Sequence, residues 1–214
     1  MRKLFILILL LVSFSINLTA QKAKPTPPKR PAPQAKMQPA IDFGEIIDRS
    51  YTNFFFGFKL TFPESWFVNT VENDADLKNA KINFDIKTPK NTKNILNAFK
   101  FQEKLGVTSV FTVSAEDLDD FPNIKDAVDY FDAMRQTFKV VKLSPDFKYS
   151  ETNAEKINNR QFAYLDISTD KSKKRLYATV KNGFAVIFTL TYNDDGGLET
   201  MKNILAEGDF EQKN

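Results

Sequence analysis

The stretch from Arg175 to Tyr192, RLYATVKNGFAVIFTLTY, decides the fold. It holds two apolar and aromatic runs, Arg175 to Lys181 and Phe184 to Tyr192, separated by Asn182-Gly183. Asn-Gly is a strong signal for a two-residue hairpin turn, because both central positions of that turn need a positive φ. A third run, Gln161 to Ile167, precedes them, so the last third of the chain predicts an antiparallel meander of three strands.

Two amphipathic helices are predicted around this meander. The first starts near Asn123, which is placed to cap it, with Asp126 three residues on. The second follows the break at Asp194-Asp195-Gly196-Gly197 and ends at Gly208. The apolar stripes consist of Ile124, Ala127, Val128, Phe131, Met134 and Phe138 in the first, and of Leu198, Met201, Ile204 and Leu205 in the second. The first stripe predicts packing against a sheet.

Strand patterns also lie upstream of the helices. Alternation from Phe58 to Phe62 predicts a half-buried strand that Pro63 stops. Two further runs, Ile95 to Phe101 and Val107 to Val113, predict a hairpin. Residues 71–94 are mostly polar and show no clear periodicity apart from Ile82, Phe84 and Ile86, which fit either an edge strand or an irregular excursion.

The N-terminus predicts export. Residues 1–20 show a basic start, an apolar run and Leu18-Thr19-Ala20, as in a cleavable signal peptide. The apolar run is short for a membrane span, so a retained anchor is the weaker interpretation. Residues 21–40 contain six prolines and no acid and predict a basic, extended linker, with contact to cell-wall polymer or anionic lipid as the alternative. Residues 41–214 are predicted to form a single domain. The signal-peptide pattern predicts a periplasmic or secreted location for it.

Composition excludes several kinds of chemistry. The chain has no His and no Cys, so Ser-His-Asp triads, Cys-His pairs, zinc sites, lipoprotein anchoring and disulfides are excluded. Seven of the 30 basic residues precede residue 41, which leaves the domain with 23 basic residues against all 27 acidic ones. A weakly acidic domain lacks the electrostatic footprint of a nucleic-acid-binding protein. We expect no cofactor.

Two stretches resemble a known family. Gly57 to Trp66, GFKLTFPESW, is similar to the entry motif of the PsbP-like superfamily, and Ala178 to Gly183, ATVKNG, followed by a strand, a short helix and Phe210, is similar to its C-terminal part. The resemblance, to a bacterial non-photosynthetic member, implies an α+β fold in which an antiparallel β-sheet is flanked by helices on both faces, the α/β/α sandwich of the PsbP/Mog type. It also implies a non-enzymatic accessory or binding role. The manganese and calcium role of the photosystem members is not carried over, since this chain has no His.

Three groups of charged residues are candidate sites. Glu116, Asp117, Asp119 and Asp120 offer oxygen ligands for calcium, but they lack the glycine and distal Glu of a calcium loop, and a solvated helix-leading loop is favoured. Asp194 and Asp195 are interpreted as a turn and cap, with no ligand assigned. The basic run Lys171, Lys173, Lys174 and Arg175 is predicted at a hairpin tip, where solvation is favoured over contact with an anionic polymer or headgroup.

Phe54, Phe55 and Phe56 are the one candidate partner-binding group. Three consecutive aromatic residues in a strand cannot all face one side, so at least one is expected to point away from the main core. Either a helix covers it, which is the favoured interpretation, or it forms an exposed patch for a partner.

Three functional hypotheses follow. The leading one is an exported, non-catalytic accessory or binding protein of the bacterial envelope, whose partner is another envelope protein or a polymer. The second is an envelope hydrolase working through paired carboxylates, which requires two carboxyls facing each other across a cleft. The third is a structural domain held at the membrane by an uncleaved N-terminus.

Overall fold

The computed structural model describes residues 41–70, 92–102, 106–158 and 160–210. The predicted signal, the linker and most of the undecided segment 71–94 lie outside these residues. In the described ranges the strands are β1 (Glu45–Ile47), β2 (Ser50–Asn53), β3 (Phe58–Thr61), β4 (Trp66–Thr70), β5 (Thr92–Gln102), β6 (Gly106–Asp117), β7 (Lys148–Tyr149), β8 (Asn153–Ile157), β9 (Arg160–Thr169), β10 (Ser172–Lys181), β11 (Phe184–Tyr192) and β12 (Asp209–Phe210), and the helices are α1 (Ala127–Val140) and α2 (Asp195–Glu207).

These strands form two antiparallel sheets. The larger sheet follows the order β4-β5-β6-β11-β10-β9-β7, and β8 also pairs with β9. The smaller has the order β1-β2-β3-β12. The resemblance implies one antiparallel sheet, but the predicted strand at 58–62 lies outside the larger sheet, because β3 pairs with β2 and β12. Alternation predicts that a segment is a strand, but it does not reveal which strand lies beside it.

The predicted meander is confirmed as the centre of the larger sheet. Tyr177 in β10 lies opposite Tyr164 in β9 and Phe188 in β11. Between β10 and β11, Asn182 has a φ of 55° and Gly183 a φ of 81°, as the Asn-Gly turn requires. The predicted hairpin at 95–113 is also present as β5 and β6, and β6 continues the sheet by pairing with β11.

Alternate residues of the meander belong to two separate apolar clusters. Leu176 and Ala178 pack in the cluster that includes Phe131 of α1. Tyr177, between them, packs in the cluster that includes Met201 of α2 and Leu60 of the smaller sheet. Because successive side chains of a strand point to opposite faces, the two clusters lie on opposite sides of the larger sheet. Part of the second face is thus covered by a sheet.

The predicted cap of α1 needs correction. The helix begins at Ala127, and its N-cap is Asp126, whose carboxylate accepts hydrogen bonds from the backbone N–H groups of Val128 and Asp129 at 2.9 Å. Asn123 lies in the preceding loop, one turn too early. An Asp and an Asn are both good N-caps, so the apolar stripe alone left the choice open. At α2, Asp194 caps the helix as predicted, through Gly197 N at 2.7 Å.

Trp66 is buried, at 4% exposure, with its ring 6.0 Å from that of Phe62. The last residue of the Gly57 to Trp66 motif thus belongs to the apolar core. No helix among the described residues is long and apolar enough to cross a membrane.

Candidate binding surface

The three consecutive phenylalanines form the turn between β2 and β3, and not a strand as expected. Residues Phe54 to Gly57 connect Asn53 to Phe58, and Gly57 has a φ of 63°. Glycine adopts this conformation without steric cost. The turn presents its three aromatic side chains in three different environments: Phe56 is only 2% exposed, Phe55 is half-buried, and Phe54 is 67% exposed.

Two of the rings fasten the turn to the larger sheet. Phe55 and Phe56 meet edge to face, with centroids 4.8 Å apart, and both contact Phe184 at the start of β11, at 5.9 Å and 5.8 Å. Edge-to-face pairs of this kind stabilise by about 1 kcal/mol beyond the area they bury. The favoured buried interpretation therefore holds for Phe56 and not for Phe54, which stands out beside an anchored pair.

Asn53 fixes the backbone of the turn from below. Its side chain is fully buried, and it accepts a hydrogen bond from Phe56 N at 2.8 Å. Its amide donates to the Asp42 carbonyl at 2.8 Å and to the Tyr51 hydroxyl oxygen at 2.9 Å. Burial raises the pKa of Tyr51 to about 12, so this hydroxyl stays neutral and keeps its own bond to the Phe43 carbonyl. The side-chain oxygen and amide of Asn53 and the hydroxyl of Tyr51 are thus all hydrogen-bonded inside the core.

Asn182 fixes the turn from the side. Its amide donates a hydrogen bond to the Phe55 carbonyl, which joins the β2–β3 turn to the β10–β11 turn. Sequence reasoning identified Asn182 only as a turn former, and it missed Asn53 altogether. The available signal for Asn53 was an Asn just before a Gly-containing turn, since Asn side chains readily bond to backbone groups two or three residues on.

The acidic group predicted near residues 116–120 divides between the two faces of the sheet. Glu116 accepts a hydrogen bond of 2.6 Å from Tyr130 of α1, and burial followed by the Glu116 charge raises the pKa of that tyrosine. Asp117 lies opposite Phe184 in the register, on the side of the aromatic turn. Its carboxylate accepts from Asp119 N at 2.9 Å. Among the described residues, no group of three or more acidic side chains is arranged to hold a metal ion.

The predicted basic run also lies differently from the expectation. Lys171 is in the turn after β9, but Arg175 lies inside β10 and is only partly accessible. Its guanidinium binds Asp166 through two hydrogen bonds of 2.7 and 2.8 Å and Glu155 through one of 3.0 Å. It also lies over the Tyr164 ring at 4.1 Å. The favoured solvated interpretation is therefore wrong for Arg175.

Glu155 is the centre of this ion-pair network. It receives the Tyr177 hydroxyl and, at 3.1 Å, the Lys202 ammonium of α2. Burial raises the pKa of Glu155, but the hydrogen bonds from Tyr177 and Lys202 and the two cations outweigh it and hold the pKa below its usual range. For Arg175, burial acts against the charged form, while the bonds to Asp166 and Tyr177 raise the pKa above its ordinary value. Lys202 also pairs with Glu199 at 3.4 Å, so two cations meet three carboxylates and both cations are occupied by partners within the chain.

A shallow depression lies between the smaller sheet and α2. Its volume is about 400 Å³. Phe62 and Ile204 form part of its floor, and Glu207 is the one carboxylate that lines it. A pair of facing carboxyls, which a glycosidase-type mechanism uses, is not present in this depression.

Comparisons with known proteins concern the fold. No family model matches the chain, and no curated protein matches it. A crystal structure of a protein from Bacteroides thetaiotaomicron VPI-5482 is similar over 73% of this chain and 46% of that one, at 15% identity and a TM-score of 0.37. The chain is also similar to the solution structure of cyanobacterial PsbP (CyanoP) from Synechocystis sp. PCC 6803, over 78% of this chain and 96% of that one, with 11% identity and a TM-score of 0.45.

Proposed function

We propose that this chain is an exported, non-catalytic binding protein of the bacterial envelope whose contact surface is the turn Phe54–Gly57. We further propose that its domain is a PsbP-like α/β/α sandwich, a description supported by the Gly57 to Trp66 motif and by the different apolar clusters that α1 and α2 join. The export proposal rests on the signal-like residues 1–20.

The observation that carries the binding proposal is the exposure of Phe54 on a rigid support. Phe54 leaves 67% of its surface exposed to water, which is unfavourable for an apolar ring. Phe55 and Phe56 beside it, in contrast, are packed on Phe184. Aromatic residues presented by a pre-organised backbone are typical energetic centres of protein interfaces, since little conformational entropy is lost on binding.

Photo-crosslinking from the turn tests this proposal. A benzophenone amino acid replaces Phe54 in the full-length chain, expressed in its own cells, and Phe101 serves as the matched control. Phe101 is 49% exposed and lies at the end of β5, at the opposite end of the larger sheet. We expect a discrete adduct with one envelope component from position 54 and none from position 101. Equal adducts from both positions, or no adduct from position 54, would contradict the proposal.

Two further measurements separate the alternatives. Turnover of a glycan or ester by the purified chain would support the hydrolase hypothesis and contradict a non-catalytic role. N-terminal sequencing of the protein from the envelope is expected to start at Gln21. A start before Gln21, with the protein in the membrane fraction, would support the uncleaved anchor.

A further inference from the structure

We infer that Asn182 is a modification site, where attack by the backbone of Gly183 converts the side-chain amide to a carboxylate, and that the product no longer holds the turn Phe54–Gly57 in place. The reaction is a deamidation, which consumes water and releases ammonia. It needs neither an enzyme nor a bound partner, so it goes beyond the proposed binding function and does not depend on it.

Gly183 makes Asn182 different from the other asparagines. Asn182 is the one asparagine of the chain that glycine follows. Glycine has no side chain to obstruct its backbone nitrogen, and the nearest heavy atom outside its chain neighbours, an oxygen of Asp119, lies 4.0 Å from the position that a Cβ on Gly183 would take. Both turn residues are exposed, and in the described part of the chain the Gly183 nitrogen donates no backbone hydrogen bond.

The deamidation exchanges one bond to nitrogen for another. The Gly183 nitrogen loses its proton and attacks Cγ of Asn182. A C–N bond forms, the bond from Cγ to Nδ2 breaks, and Nδ2 leaves as ammonia, which takes up the proton that Gly183 lost. The product is a five-membered cyclic imide. Water then opens either of its two carbonyls and leaves aspartate or isoaspartate at this position.

The hydrogen bond from Asn182 to the Phe55 carbonyl opposes this reaction. Nδ2 has to leave that carbonyl, and the Asn182 backbone has to rotate out of its turn conformation, before Gly183 N reaches Cγ. Exposed turns open locally without unfolding of the whole domain. Deamidation therefore proceeds from the opened turn, and its rate depends on how often the contact with Phe55 is broken.

Aspartate at position 182 cannot restore this contact. An ionised carboxylate only accepts hydrogen bonds, and the Phe55 carbonyl also only accepts them. Two acceptors then face each other at the place where Asn182 Nδ2 donated. The β2–β3 turn thereby loses its hydrogen bond to the β10–β11 turn.

Isoaspartate has a second effect. It adds a further carbon to the main chain between Lys181 and Phe184, which are paired directly across the turn. A longer main chain changes the geometry of this two-residue turn and with it the position of Phe184. Because Phe55 and Phe56 pack on Phe184, isoaspartate also weakens the aromatic contacts of the β2–β3 turn.

Ageing of the purified full-length chain tests the modification. The chain is kept at mildly alkaline pH, which promotes loss of the Gly183 proton, and is mapped by peptide mass spectrometry. Asn158 is the internal control, because it is also exposed, has a positive φ of 43° and donates its amide to a distant carbonyl, that of Ala206, but is followed by Asn159. We expect Asn182 to convert to aspartate and isoaspartate before Asn158 does. Equal rates at the two positions, or no conversion of Asn182, would overturn the inference.

Asn182→Asp tests the consequence for the β2–β3 turn. The Phe56 amide donates to Asn53 Oδ1 at 2.8 Å, so its hydrogen exchange reports opening of this turn. We expect the exchange to become about fivefold faster, the usual net effect of losing one hydrogen bond. Asn158→Asp makes the same chemical change in the control turn and should leave the exchange of Phe56 unchanged. Equal exchange rates in the two variants would overturn the inference.

Discussion

The side-chain amide of Asn182 donates a hydrogen bond to the backbone carbonyl of Phe55, a residue 127 positions earlier in the chain. One contact thereby joins the Asn-Gly turn of the larger sheet to the aromatic turn of the smaller one. Asn182 also has a positive φ of 55° in the β10–β11 turn, so the same residue shapes a local turn and makes a long-range hydrogen bond. The two tasks are separable by mutation.

Asn182→Gly keeps the positive φ and removes the hydrogen bond, whereas Asn182→Ala removes both. We expect Asn182→Gly to lower the free energy of unfolding by about 1 kcal/mol, the usual net value of a hydrogen bond. Asn182→Ala should cost roughly 1 kcal/mol more, because a left-handed conformation strains any side chain with a Cβ. Urea denaturation measures both. Identical stabilities for the two variants would show that the turn conformation contributes nothing.

The two phenylalanines Phe54 and Phe56 should behave oppositely on truncation. Phe56 is 2% exposed and packs on Phe55 and Phe184, so Phe56→Ala should lower the free energy of unfolding by about 3–5 kcal/mol. Phe54 is 67% exposed, and Phe54→Ala should change it by no more than about 0.5 kcal/mol. Thermal unfolding checks both values. A large loss for Phe54→Ala would mean that its role is structural.

Replacing Asp126, the N-cap of α1, should lower the free energy of unfolding, whereas replacing Asn123, three residues earlier, should not. Asp126→Ala leaves the N–H groups of Val128 and Asp129 without their acceptor, and we expect a loss of about 1 kcal/mol. Asn123→Ala is the control and should be close to neutral, since Asn123 lies outside the helix. Helical circular dichroism and urea midpoints together provide the measurement. The reverse ranking would restore Asn123 as the cap.

Arg175→Lys keeps the positive charge and removes the planar fork that binds both oxygens of Asp166 while also reaching Glu155. We expect the free energy of unfolding to fall by about 1–3 kcal/mol, as for the loss of hydrogen bonds to charged groups. Lys173→Arg, at an exposed position of the same strand, is the matched control. Arg175→Lys with unchanged stability would show that the pairing is only Coulombic.

Glu155 should make stability depend on pH on the acid side. Its pKa is lowered in the folded state, so its ionised form contributes stability above the unfolded pKa of about 4.3. That contribution is lost as the pH falls through the lower folded value. We expect Glu155→Gln to be less stable at neutral pH by about 2 kcal/mol, with the difference shrinking toward low pH. A difference that is constant with pH would contradict the assignment.

The local elements were largely accessible from the sequence. The Asn182-Gly183 turn, the meander and the apolar stripe of α2 follow from φ preferences and from periods of 2 and 3.6, which act over a few neighbouring residues. The same local rules failed at Phe54 to Phe56, where three aromatic residues suggested a strand. Gly57 and the buried Asn53 side chain make a turn there instead, with a φ of 63° at the glycine.

The candidate site was accessible only in part. Phe54 was identified as one of three candidates, but which of the three is exposed depends on Phe184 and Asn182, whose partners lie far away in the chain. The ion-pair network of Arg175 was missed for the same reason. Its partners Glu155 and Asp166 have no spacing that marks them as ligands of one guanidinium.

The amino-acid order alone predicts the antiparallel meander and the two helices, and it excludes His- and Cys-dependent chemistry. Each of these depends on residue type or on short-range periodicity. Tertiary structure decided that β3 belongs to a second sheet, that Asn182 bonds to the Phe55 carbonyl, and that Phe54 stays in water. These are consequences of pairing between segments distant in the chain. Side-chain packing and hydrogen bonding across that distance choose among strand partners that the local pattern makes equivalent.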